Sequence, residues 1–151
     1  VDYRSNDRDG NKIHDFWRGD IAGLYGLCDR TSPEMIKLVE ISVAGADSHA
    51  LDPGATPPAP GKMAGQAYYA TRYPKAGYWF RAIRHADEKD TVDAYSRFAA
   101  CAYPANYPNT GRLTFIVDEN NTIYKRDLGR PGGIDVFPTD EELKLQWAKI
   151  D

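Results

Sequence analysis

Residues 112–128 read RLTFIVDENNTIYKRDL, two apolar stretches of period two separated by Asp118–Asn121. Alternation of this kind puts successive side chains on opposite faces of a strand, and Asn tolerates the left-handed backbone of a tight turn. The stretch therefore predicts an antiparallel hairpin. Upstream, GYWFRAIRH (77–85) sets Tyr78, Phe80 and Ala82 against Trp79, Arg81 and Ile83, and YSRFAACAY (95–103) follows as a further strand.

Outward from these strands the pattern changes. Residues 15–45 read as helical. In SPEMIKLVEISVAGA (32–46), Ser32 is the expected N-cap, Pro33 the first helical residue and Glu34 an acid in the first turn, with Met35, Leu38 and Val39 on one face. DIAGLYGLC (20–28) predicts a shorter helix with Ile21, Leu24, Tyr25 and Cys28 on its apolar side. The density of Pro and Gly in LDPGATPPAPGKMAG, within 46–76, excludes regular structure and predicts a long surface loop. At the end, Thr139 and Glu142 of PTDEELKLQWAKI form a capping box, and Leu143, Trp147 and Ile150 are expected on one helical face. The expected fold is a single α+β domain over 1–151. Its N-terminal helical segment, residues 32–44 above all, packs on an antiparallel sheet of three to four strands, with the Pro/Gly loop and a short C-terminal helix completing it.

The chain has 151 residues and a net charge of −3. That balance offers neither the basic face that nucleic acid requires nor a polybasic membrane anchor, and no apolar run approaches the roughly 20 residues that span a bilayer. Ten Tyr, ten Pro, thirteen Gly and only two Cys have an extracytoplasmic flavour. The first residue is Val1 rather than Met, as expected of a processed or trimmed chain. Cys28 and Cys101 are either bridged, which would stabilise by roughly 4–5 kcal/mol in the chain-entropy model, or separate buried thiols.

Signs of catalysis are sparse. His14, His49 and His85 have no partner at metal-ligand spacing, and there is no G-x-S-x-G elbow, phosphate loop or haem attachment motif. GRPGG (129–133) follows a strand without opening a helix, and reads as a turn. An enzyme built on His85 with Asp87 or Asp90 remains the catalytic alternative. In RSNDRDGNKIHDFW (4–17), Asp7, Asp9 and Asn11 surround Gly10 as in a calcium loop, but Ser5 and Phe16 occupy the end positions where acids belong. No cofactor is expected, calcium at this loop being the alternative to a plain Asx turn. The aromatic residues are conspicuous. Tyr68, Tyr69, Tyr73 and Tyr107 lie on Pro/Gly-flanked loops, where rings suit contact with a protein partner or a sugar.

Several stretches together, DRDGNKIHDFWRGDIAGLYGL (7–27), PKAGYWFRAI (74–83), FAACAYPANYPNTGRLTFIVDENNTIYKRDLG (98–129) and DEELKLQW (140–147), resemble the globular head of pseudopilin-like proteins related to type II secretion and type IV pilin subunits, of the planctomycete type. The GYWFR and TFIVDENNTIYKRDLG segments are also similar to a family of uncharacterised exported bacterial proteins. The resemblance implies a membrane-inserted helix before Val1, a cleaved leader and an α+β head outside the cytoplasm. It implies no catalytic residues. Some pseudopilins bind calcium after the sheet, the region where Asp127, Asp135 and Asp140 lie. The expected function is that of a non-enzymatic, extracytoplasmic interaction protein: a subunit or accessory/assembly factor of a larger complex or of its own oligomer. The alternatives are a pseudopilus subunit without its membrane helix, or a calcium- or carbohydrate-binding module.

Overall fold

The computed structural model describes residues 12, 14, 16–17, 19–27, 35–48, 72–85 and 96–150. Its centre is a curled, mixed sheet of six strands: β1 (Tyr78–His85), β2 (Ala99–Pro104), β3 (Leu113–Asp118), β4 (Ile123–Asp127), β5 (Val136–Phe137) and β6 (Ala148–Ile150), in the order β5-β1-β2-β3-β4-β6. β5 runs parallel to β1 and the other pairs are antiparallel. The curl is a half-barrel: the rings of Tyr124 on β4 and Phe137 on β5 meet with centroids 6.4 Å apart, although three strands lie between β4 and β5 in the sheet.

The predicted hairpin forms as read. Asp118 Oδ1 accepts the backbone N–H groups of Asn120 and Thr122, each at 3.0 Å, and Asn121 adopts φ 59°, so the turn is fixed by its own side chain. Register then sorts the faces. Cys101, Ile116 and Tyr124 are successive partners across β2, β3 and β4 and point into the concave side, while Ala102, Phe115 and Lys125 point to the convex side. The concave core comprises Ile83, Ala99, Cys101, Tyr103, Ile116, Phe137, Leu143 and Trp147.

Three short helices are described: α1 (Gly23–Gly26), α2 (Ile41–Gly45) and α3 (Asp140–Gln146). The α3 capping box is present in both directions. Glu142 N–H donates to Thr139 Oγ1 at 3.3 Å, and Glu142 Oε2 accepts from Thr139 N–H at 2.9 Å. Leu143 and Trp147 enter the concave core. Ile150 does not continue their helical face, because the backbone turns extended at Trp147 and Ile150 joins β6 opposite Ile123.

The expected α+β arrangement is overturned. The protein is mostly β, and the helix lying on the sheet is α3, not an N-terminal one. Residues 35–40 are not helical: Lys37 has φ 54°, and α2 starts only at Ile41. The physical reason lies in their hydrogen bonds. Ile36 N–H donates to Leu27 O at 2.8 Å and Leu38 N–H to Leu24 O at 2.9 Å, so the segment spends its donors on a distant carbonyl ladder. Tertiary pairing outweighs a weak local propensity. The sheet has six strands rather than three to four because β5 and β6 are too short to show periodicity.

Residues 19–27 and 35–48 build a corner on the sheet edge. Ala22 and Ala44 form its small core, with Tyr25 and Val39 against them. Residues 46–48 then run beside β1: Phe80 N–H donates to Ala46 O at 2.8 Å and Ser48 N–H to Phe80 O at 2.7 Å.

Candidate functional site

The corner and the sheet between them present one aromatic residue conspicuously to solvent. Tyr73 is 72% exposed, yet its backbone is held: its N–H donates to Gly45 O at 2.9 Å. Two residues on, Lys75 pairs with Glu40, and Lys75 and Tyr78 exchange backbone hydrogen bonds of 3.0 and 2.9 Å across a turn whose central residues, Ala76 and Gly77, have φ 50° and 81°. Positive φ at both central positions is the geometry of a tight hairpin turn. The neighbouring Arg72 guanidinium lies over the Trp79 ring at 5.5 Å. With its backbone already held, this ring has only its side-chain torsions left to order on contact.

Tyr107 is placed differently. It is half-buried at a cis Tyr107–Pro108 bond, and its hydroxyl donates to Asp127 Oδ1 at 3.1 Å. Burial and Asp127 together push its phenol up from the ordinary value. Tyr68 and Tyr69 lie outside the described residues, as do Asp7, Asp9 and Asn11 of the calcium loop, Cys28, Asp87 and Asp90. Cys101 is a free thiol in the concave core, pushed up to about 11 by burial.

Asp127, Asp135 and Asp140 do not converge. Asp127 receives Tyr107 and the Gly129 N–H, Asp135 pairs with Arg81 on β1, and Asp140 opens α3. Among the described residues no group of three or more His, Cys, Asp or Glu side chains is placed to hold a metal ion.

On the concave side, polar groups punctuate the apolar core. Arg81 packs over the Tyr103 ring at 4.8 Å, donates to the Tyr103 hydroxyl and pairs with Asp135. That pairing ties the segment after β4 across the sheet, and Gly133 there lies so close to the core that a Cβ would come within 3.0 Å of Cys101 Sγ. His85, buried at the other end of β1, packs against Phe137 with the rings tilted and their centroids 4.8 Å apart, and its Nε2 is 3.2 Å from Glu119 Oε2. The structure thus sets His85 beside an acid from the β3–β4 turn, a neighbour that sequence distance concealed.

Sequence reading missed a cleft of about 360 Å³ at the mouth of the half-barrel. Leu128, Ile134, Val136, Phe137, Pro138 and Trp147 make its apolar lining, and Arg126, Glu142 and Gln146 its polar rim. The usable signal was the alternation that puts Arg126 on the same face as Tyr124.

These features define a half-barrel β protein with an exposed aromatic hairpin, hydrogen-bonded to the corner, and an open cleft. Residues 54–136, more than half of the chain, match the family model described as Protein of unknown function (DUF2950), and the chain belongs to that family. No curated protein and no solved structure matches it.

Proposed function

We propose that this protein is a non-enzymatic, extracytoplasmic interaction protein, serving as a subunit or accessory factor of a larger protein complex, and that the corner hairpin around Tyr73 is its contact surface. The observation that carries this reading is Tyr73 itself, a large ring 72% exposed on a backbone held to α2. Tyr is favoured at interface anchors because it brings contact area at the cost of two side-chain torsions. Ile41, on the same α2 that holds Tyr73, is also exposed and adds apolar surface to the corner. The extracytoplasmic assignment rests on the composition and on the pseudopilin-like resemblance.

The test is purification of the native protein from its source in mild salt, alongside a Tyr73→Ala variant. A stoichiometric partner is expected with the native chain and at least about tenfold less with the variant, while the melting temperature is unchanged. Retention of the partner by Tyr73→Ala, or loss of the fold with it, would remove Tyr73 as the anchor.

A further inference from the structure

The cleft at the mouth of the half-barrel combines an apolar floor with a cation that no acid among the described residues neutralises directly. Arg126 donates to the amide oxygen of Gln146, a neutral group. Glu142 shares the rim, but its Oε2 is engaged by Thr139 N–H at 2.9 Å and Thr139 Oγ1 at 3.0 Å. Those hydrogen bonds hold the Glu142 carboxyl below its ordinary range, with the Arg126 charge a smaller contribution. Among the described residues no carboxylate lies within ion-pair distance of Arg126.

We infer that this cleft binds a small amphipathic carboxylate. Its carboxylate takes the Arg126 guanidinium from the Gln146 amide, and its apolar body lies along Leu128, Ile134, Phe137 and Trp147. A guanidinium presents paired N–H groups that match a carboxylate, and a charge-assisted bond is stronger than one to a neutral amide. Apolar surface removed from water supplies the remainder. The volume of about 360 Å³ lies near the lower end of the range for ligand pockets, roughly 300–1,000 Å³. It therefore selects a small acid over a long-chain lipid. This site is separate from the Tyr73 hairpin, and the two readings stand or fall independently.

Octanoate serves as the probe, with octanol as its uncharged counterpart, titrated into the full chain and followed by two-dimensional NMR. Saturable shifts are expected at the Trp147 indole N–H, the Arg126 side-chain Nε–H and the amides of Leu128 and Ile134. Octanol should bind at least about tenfold more weakly, the factor that loss of a hydrogen bond to a charged group carries. Arg126→Gln should abolish the preference for octanoate while leaving octanol unaffected; if that variant does not fold, the octanoate-to-octanol ratio on the native chain decides alone. Equal binding of the two, shifts confined to other parts of the sheet, or no saturation by about 10 mM octanoate would overturn the inference. So would a peptide ending in an apolar residue that binds where octanoate does not.

Discussion

The concave interior of the sheet and the corner on its edge are both buried, but different forces hold them. The sheet interior is filled with large apolar side chains from four strands and α3, Ile83, Ile116, Phe137, Leu143 and Trp147 among them. The corner buries fewer and mostly smaller side chains, Leu27 and Ile21 beside Ala22, Ala44 and Ala46, and its most deeply buried polar residue is a carboxylate, Asp47, whose Oδ2 accepts the Ala22 N–H at 2.9 Å. Dispersion and burial are indifferent to pH and spread over many contacts; a few hydrogen bonds to acids are neither. The corner should therefore open at lower cost than the sheet. The hairpin that carries Tyr73 is fastened to this less robust half, where a partner could add the stability that packing does not supply.

The sharpest way to break the comparison is in the sheet. Ile116 is 1% exposed and central to the concave core. Ile116→Ala should cost about 2–5 kcal/mol in urea unfolding, with no change in pH dependence. A loss below about 1 kcal/mol would mean that the concave face is not the principal core. Asp47→Ala comes next, at about 1–3 kcal/mol, because it leaves the Ala22 N–H buried without its acceptor. Hydrogen exchange should accelerate in residues 20–27 and remain slow in β2 and β3. Equal acceleration everywhere would make the corner and the sheet one cooperative unit.

A smaller effect belongs to the helix that covers the sheet. Thr139→Ala removes the side-chain acceptor of the Glu142 N–H and should cost about 1 kcal/mol, with the loss visible as fraying of α3 in helix-sensitive dichroism. No loss would show that tertiary packing of Leu143 and Trp147 holds α3 without its cap.

Legibility in the sequence followed the same division. The hairpin at 113–127 and the capping box were readable because their determinants are local: an Asx turn at Asp118, alternation on either side, Thr139 three residues before Glu142. The stretch at 35–40 was not, because Ile36 and Leu38 bond to residues 27 and 24, and no helical period records a partner that distant. Tyr73 was recognisable as a loop aromatic. Tyr107 shares its flanking pattern, but only the fold shows its hydroxyl engaged by Asp127. Of the cleft only the face of Arg126 was legible, through its alternation with Tyr124, since Arg126, Ile134 and Trp147 become neighbours through the curl of the sheet.

The finest test separates the two regions by pH. The Asp20 carboxyl is raised from 3.8 to about 6, chiefly by burial and further by the Asp47 charge, while a 2.7 Å hydrogen bond from the Gly23 N–H works the other way. Raising the folded-state value of an acid means that the native corner holds its proton more tightly than the unfolded chain does. Asp20 thus contributes fully below about pH 3.8, and that contribution is lost as pH rises through about 6. Asn at this position keeps an oxygen for the Gly23 N–H but has no charge to desolvate. Asp20→Asn should therefore gain stability relative to the native chain as pH rises from about 4 to 7, and level off above. The gain should be the smallest of these effects, because the carboxylate is only half-buried and water screens it. It should shrink again when Asp47 is also replaced by Ala, since the charge that helps to raise Asp20 is then gone. A difference between the two chains that does not change with pH would place the Asp20 carboxylate in water, and the corner would then be held by the same pH-indifferent packing as the sheet.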